Sequence, residues 1–484
     1  MEKKNKSLKL NMLLNALKNF TAVVFPLISF PYVSRTLGVE SLGQYNFATA
    51  LISYIVLIAG LGIETYAIRE GVKYRDDKEK LSKFASQVFS INIVSALFAY
   101  VVLGVLMVTV PKFQSYTLPL LILSTQVFFL TIGVSWVFSI YEEFLYITVR
   151  SIIFQLLALV AMFVFIKGAD DVVVYCIITA GVIAVSNVIN FFMARRYCKI
   201  RITFNVDWKK HIKPILILFV SLASITIYTS SDTVILGFIS GEYSVGIYAV
   251  SHKIYAIVKS ILFSAIVVAI PRMSMLFAKQ DLSGTSEVAS NILSTTIAVV
   301  VPVIVGLVIL SRELIVLLSG EMYISAIPSF IILSIAMIFC MGGYFWGHAV
   351  LIPKKEENYY LKVTIISALI NIVLNFAFIP FYDEIAAAFT TLVAEIVAFL
   401  MCYFKGRKYV KTKGVALSFV KSLVGALVII PITALCKYLI DNMILYVIAT
   451  VVLSVVCYFL IECLLRNEAV TSLFKSIKNR NKSA

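Results

Sequence analysis

Residues 195–213 read RRYCKIRITFNVDWKKHIK and set seven cations, Arg195, Arg196, Lys199, Arg201, Lys209, Lys210 and Lys213, between two long apolar halves of the chain. A loop this rich in Lys and Arg between hydrophobic segments belongs on the cytoplasmic side of a membrane. That placement sets the sidedness of every segment before and after it.

The composition agrees. Of 484 residues, 61% are hydrophobic and 14% charged, and the mean hydropathy is +0.96. These values exclude a soluble globular chain and leave an all-α polytopic membrane protein. The net charge of +16 is confined to loops between apolar segments, so it reads as topology and contact with anionic membrane lipids, not nucleic-acid binding. The seven cysteines show no CxxC or Cys/His spacing, so neither a disulfide framework nor a metal site follows. The basic stretch 1–9 precedes no short cleavable apolar region and reads as a retained cytoplasmic tail.

Windows of about 20 apolar residues, enough to cross about 30 Å of hydrocarbon, fall at 12–35, 42–67, 84–109, 117–140, 144–166, 172–194, 214–238, 243–269, 288–310, 325–350, 359–380, 385–404, 415–439 and 443–465. They predict about 14 transmembrane helices. On this reading 33 of the 42 lysines and arginines lie on one side, and five (Arg35, Lys112, Lys167, Arg312 and Lys437) on the other. Four more, Lys18, Arg150, Lys253 and Lys259, lie within spans. The asymmetry places both termini in the cytoplasm. The expected organisation is a six-helix bundle over 1–194, a basic linker over 195–213, a second six-helix bundle over 214–404, and two additional helices with a basic tail over 405–484.

The halves repeat one another. Gly43-x-Tyr45 recurs as Gly246-x-Tyr248, each after a Leu-Gly pair (Leu37-Gly38 and Leu236-Gly237), and Asp170-Asp171 falls where Asp383-Glu384 does. An even number of helices separates the equivalents, so the repeats run parallel across the membrane. A transporter with its substrate path between two such halves has this plan.

Charge inside a span is expensive and faces a partner or a watery cavity. Lys18 and Arg150 lie close enough to a cytoplasmic end to snorkel, whereas Lys253 and Lys259 are deeper and Glu395 is near mid-span. Asp232 is at a depth from which it could pair with Lys253, and Glu64 reads as an interface charge. Tyr248, His252, Tyr255 and Lys259 recur at helical spacing on one face; Ser221, Ser224, Tyr228 and Asp232 do the same on the preceding helix. Rings and hydroxyls suit a sugar, lysines suit a phosphate, and the same stripes would also serve as helix–helix glue. Pro26, Pro31 and Pro302 predict kinks. No GxxxxGK[ST], HExxH or GxSxG sequence is present, so neither ATP coupling, a cofactor nor an enzymatic centre is expected.

Phe30-Pro31-Tyr32-Val33-Ser34-Arg35-Thr36-Leu37-Gly38 with Gly43-x-Tyr45 resembles the first-loop signature of the Wzx-type oligosaccharide flippases. These are polysaccharide-biosynthesis members of the multidrug/oligosaccharidyl-lipid/polysaccharide (MOP) exporter superfamily. Trp136-Val-Phe138 with Glu142 and Arg150 resembles the fourth-to-fifth helix motif of that family. Leu351-Ile352-Pro353, Tyr359-Tyr360, Asn371, Asn375, Ile379-Pro380, Ala387-Ala388 and Glu395 resemble its eleventh-to-twelfth helix motif. Two departures are Ser139-Ile140, where the family commonly has Gln-Gly, and Asp383-Glu384-Ile385, where it has glycines.

The resemblance implies two pseudo-symmetric six-helix bundles plus two C-terminal helices in the bacterial cytoplasmic membrane. The implied activity is translocation of an undecaprenyl-pyrophosphate-linked oligosaccharide for capsule or O-antigen, by alternating access coupled to H⁺ or Na⁺, alongside a polysaccharide polymerase. Lys18, Arg35, Lys253 and Lys259 are then the expected cationic surface, with Arg150 at the inner gate. Tyr228, Tyr248, His252 and Tyr255 are expected against sugar, and Asp232 and Glu395 are expected in ion coupling. The alternatives are a drug or cation exporter or a lipid II flippase of the same superfamily, and a non-transporting scaffold for a polymerase complex.

Overall fold

The computed structural model describes residues 8–467 and Val470, without the side chains of residues 8–13, 15, 16, 19 and 265. The basic tails expected at 1–7 and 471–484 lie outside the described residues. Every regular element within them is helical, the form in which a chain satisfies its own backbone hydrogen bonds where hydrocarbon offers none. Twelve helices are long and apolar enough to cross a membrane.

Twelve is two fewer than the windows expected from sequence, and both differences have the same cause. Windows 12–35 and 42–67 join in α1 (Leu8–Gly60), and windows 359–380 and 385–404 join in α15 (Glu357–Gly406). Each long helix contains one residue outside helical dihedrals, Gly38 (φ 74°) and Asp383 (φ 46°). Glycine takes a positive φ freely, and aspartate is among the few other residues that tolerate it. Pro26, Pro31 and Pro302 sit inside helices whose dihedrals stay helical around them, so they do not end a helix. Neighbouring helices can meet the backbone group a proline frees, whereas a reversed φ must redirect the chain.

The chain divides into two compact units, residues 1–246 and 247–484. The first holds α1, α2 (Ile63–Gly71), α3 (Lys78–Thr109), α4 (Pro111–Ser115), α5 (Thr117–Gly133), α6 (Trp136–Ile140), α7 (Phe144–Phe165), α8 (Val172–Ala194), α9 (Trp208–Ile239) and the start of α10 (Glu242–Val267). Its core contains Tyr66, Phe84 and Trp136. There a fully buried His211 uses both ring nitrogens, Nδ1 with Tyr66 Oη at 2.6 Å and Nε2 with Gln87 Oε1 at 2.9 Å. That one imidazole ties α2, α3 and α9 together.

The repeated Gly-x-Tyr motif has a structural cause. A Cβ on Gly43 would lie 1.8 Å from the Glu242 carbonyl oxygen, and one on Gly246 would lie 2.1 Å from that of Val39. Val39 and Glu242 stand in the same sequence relation as Gly43 and Gly246, an offset of 203 residues. Each copy of the motif therefore presents its glycine to the carbonyl four residues before the other's glycine. That reciprocity belongs to a two-fold contact, and it places backbone against backbone where only glycine fits.

The second unit holds the rest of α10, then α11 (Ile270–Ala278), α12 (Leu282–Ile309), α13 (Ser311–Ser319), α14 (Ile327–Tyr344), α15, α16 (Val415–Ala426), α17 (Ile429–Leu439) and α18 (Met443–Leu464). A π-helical turn over Phe345–Leu351 follows α14. The two arms of α15 are clasped across Asp383: Asn375 donates to Asn371 Oδ1 at 3.2 Å, and Thr390 donates to Asn375. Tyr458 donates to the Ala298 carbonyl at 2.6 Å, seating α18 on α12.

The units share a second device. In the first, the N–H groups of Lys199, Arg201 and Thr203 donate to Ser82, Ser86 and Ser90 of α3 at 3.0, 3.1 and 2.8 Å. In the second, Lys411 and Lys413 donate to Ser286 and Ser290 of α12 at 3.3 and 3.0 Å. Two extended residues advance about 6.6 Å and four helical residues about 6.0 Å. A strap of alternating donors thus stays in register with serines one turn apart.

Gly43→Leu and Gly246→Leu are each expected to destabilise the protein by about 1–3 kcal/mol or to block its folding. Gly60→Ala, where an added Cβ meets nothing within 4 Å, is expected to be nearly neutral. Thermal unfolding of the purified variants in detergent checks this.

Candidate substrate site

In the first unit a cavity of about 430 Å³ opens between α1, α3, α5, α6 and α9. Its lining is mostly apolar, with Ile52, Val56, Leu130 and Trp136, and the hydroxyls and amides of Ser53, Asn92, Gln126 and Thr226 are interspersed among them. One charged residue faces it, Glu64, with Ser135 Oγ at 3.5 Å from its carboxylate. Glu64 is an exposed residue that lines this cavity. The chain breaks helix at Leu61 (φ 45°) and Gly62 (φ 76°), and Glu64 follows that break into the cavity wall. Asn92 and Ser95 donate to the exposed end of α1 at the Ala59 carbonyl, at 2.8 and 2.6 Å, which holds the break open against the cavity.

The remaining predicted residues of this unit are dispersed. Arg150 is half-buried, with Nη1 3.4 Å from the Ser186 carbonyl and its guanidinium 5.8 Å from the Tyr146 ring; its buried Nε has no hydrogen-bond partner among the described residues. Lys18 lies one turn after Leu14, whose carbonyl accepts from Thr148 at 3.2 Å, so α1 brings Lys18 alongside the α7 turn that carries Arg150. Arg35 is exposed, one turn before the break at Gly38. On α9, Asp232 is buried and Tyr228 half-buried. Ser221 and Ser224 return their hydroxyls to the Ile217 and Val220 carbonyls of their own helix, at 3.4 and 2.8 Å, a local pairing that competes with any ligand.

In the second unit the expected stripe is present and extends further. Ring centroids of Tyr248 and His252 are 5.7 Å apart and those of His252 and Tyr255 6.2 Å apart. Lys259 Nζ stands 4.7 Å from the Tyr255 ring and 6.0 Å from that of Phe263. Phe263 stacks on Tyr344 at 4.0 Å, Tyr344 lies 4.2 Å from His348, and His348 Nε2 pairs with Tyr360 Oη at 3.2 Å. The π-helical turn positions His348 on this ladder. Tyr255 also donates to the buried Glu395 carboxylate at 3.4 Å, which attaches Glu395 to the same row.

Lys253 is half-buried and one residue past His252. Six residues separate it from Lys259, about 120° around the helix at 100° per residue, so the two lysines do not form a single row. Tyr344 and His348 lie outside the sequence reading because elements far from α10 in the chain supply them; Phe263 continues the α10 stripe one turn past Lys259. Among the described residues no group of three or more His, Cys, Asp and Glu is placed to hold a metal ion.

The family described as "Polysaccharide biosynthesis protein" matches residues 8–277. A protein of Escherichia coli (strain K12) named "Putative O-antigen transporter" is 23% identical over 406 residues, covering 82% of this chain and 96% of that protein. The "Capsular polysaccharide biosynthesis protein CapF" of Staphylococcus aureus is 23% identical over 381 residues, covering 75% and 90%. In fold, the chain is similar to a structure titled "Lipid II flippase MurJ, inward closed conformation", with a TM-score of 0.76 at 16% identity, covering 95% of this chain and 100% of that one.

Tyr255→Phe keeps a ring beneath Lys259 and removes the hydroxyl from Glu395; Tyr255→Leu removes both. The leucine variant is expected to lose about 1–3 kcal/mol more than the phenylalanine variant, measured by thermal unfolding. Equal losses would show that the ring does not hold Lys259.

Proposed function

The chain belongs to the polysaccharide biosynthesis protein family, and from that premise we propose that it is a flippase for undecaprenyl-pyrophosphate-linked oligosaccharide repeat units of a capsule or O-antigen. It works in the bacterial cytoplasmic membrane with both termini in the cytoplasm. Counting each arm of α1 and α15 separately gives fourteen crossings, arranged as two six-helix bundles and two further helices. The bundles open alternately to either side.

The observation that carries this reading is the ladder from Tyr248 through Lys259 to Tyr360. Aromatic faces stack on the C–H faces of sugars, a lysine held over rings keeps its charge available to phosphate, and the two chemistries alternate along one row. Lys18, Arg35, Arg150 and Lys253 supply further positive charge along the path, and Tyr228 supplies a further ring. Asp232 and Glu395 couple the cycle to H⁺ or Na⁺. The hydroxyls and amides interspersed in the mostly apolar cavity of the first unit offer hydrogen bonds to saccharide. A groove of about 320 Å³ between α12 and the last helices is lined by Pro302, Gly306, Val451 and other apolar residues, and suits a polyprenyl chain that stays in the bilayer while its headgroup crosses.

In a strain deleted for the gene, plasmid-borne Lys253→Ala and Lys259→Ala are each expected to lose most surface-polymer export while the protein level stays normal. Unchanged export in both would sink the cationic path. Immunoblots of surface polymer against membrane protein make the measurement.

A further inference from the structure

We infer that the second unit carries an accessory site for a lipid-borne phosphate at its basic membrane face, built by the strap at residues 408–413. The site is a cavity of about 740 Å³, within the size range of small-ligand sites. Lys354, Lys408, Lys411 and Lys413 line it together with Ser286 and Ser290, and Glu287 is the one carboxylate in the lining. The excess is three positive charges.

The lysines are held in place by separate means. The backbone of Lys411 and Lys413 is fixed to Ser286 and Ser290 of α12, respectively, as described above, which leaves their exposed side chains directed by a pinned chain rather than a loose loop. Lys354 lies 5.1 Å from the Phe277 ring and 5.8 Å from that of Tyr409. The nearby Glu356 is already engaged: Tyr409 donates to its carboxylate and Lys405 stands 2.9 Å away. Those two bonds hold the Glu356 carboxyl below its ordinary range, so it stays occupied and does not neutralise the four lysines.

Position selects the ligand. The lining comes from the first turns of α12, from Lys354 just before α15 and from the chain just past α15, at the ends of two candidate membrane spans. Basic pockets between helix ends on the cytoplasmic side are the places where anionic headgroups are recognised. The chemistry is a phosphate or diphosphate monoester or diester on a lipid, from either a bilayer phospholipid or a polyprenyl carrier. The site depends only on the membrane reading and not on the transport cycle proposed above.

Native mass spectrometry of the full-length protein in detergent tests it, with phosphatidylglycerol, undecaprenyl diphosphate and phosphatidylcholine as probes. Lys408→Gln/Lys411→Gln/Lys413→Gln is expected to weaken retention of one or both phosphate-rich lipids at least about ten-fold. The control Lys209→Gln/Lys213→Gln, at exposed lysines of the first unit, is expected to leave it unchanged. Whichever anionic lipid responds identifies the source. Ser286→Ala/Ser290→Ala, which keeps every lysine but frees the strap, is expected to weaken retention in the same direction. Equal loss in the control, no loss in the triple variant, or equal retention of phosphatidylcholine would overturn the site.

Discussion

The reciprocal glycine contact between Val39–Gly43 and Glu242–Gly246 is the constraint from which the rest of the architecture follows. Two helices approach closely enough for each glycine to meet a carbonyl of the other segment, and neither side can move without opening the other. In hydrocarbon, where apolar side chains gain nothing by leaving lipid, such close backbone packing is the main source of helix–helix affinity. The preceding turn at Gly38, with its positive φ, redirects α1 ahead of the arm that makes this contact.

The fold handles polar groups by satisfying them close to home. The Asn371–Asn375–Thr390 clasp, the His211 pair of bonds and the serine straps each close a local set of donors and acceptors. Against that background the exceptions stand out. Lys259 on its ladder of rings and Glu64 at a cavity wall face space or π-clouds instead of a saturating set of partners. A charged group held this way within a span is costly, which sets Lys259 apart from the locally satisfied groups.

Much of this was legible in the amino-acid sequence, and the limits have physical causes. An apolar run of about 20 residues has one stable form in a bilayer, so the all-helical membrane fold was readable. The Tyr248–Lys259 stripe followed from the 3.6-residue period and is present as a row. The gaps between windows 12–35 and 42–67 and between 359–380 and 385–404 contain Gly38 and Asp383, where the helices break; the sign of φ at such positions is decided by where the chain must go next. That Glu64 lines a cavity depends on the break at Leu61–Gly62, which has no strong local signal. The continuation of the ladder to Tyr344 and His348 depends on α10 meeting α14, a tertiary fact that periodicity within one helix does not contain.

The most direct test is translocation itself. Purified protein in vesicles of defined lipid, given a polyprenyl-diphosphate oligosaccharide in one leaflet, is expected to expose the sugar to a membrane-impermeant glycosidase on the opposite side far faster than protein-free vesicles do. Sugar that stays protected at the protein-free rate, with the protein folded and inserted, would contradict the account.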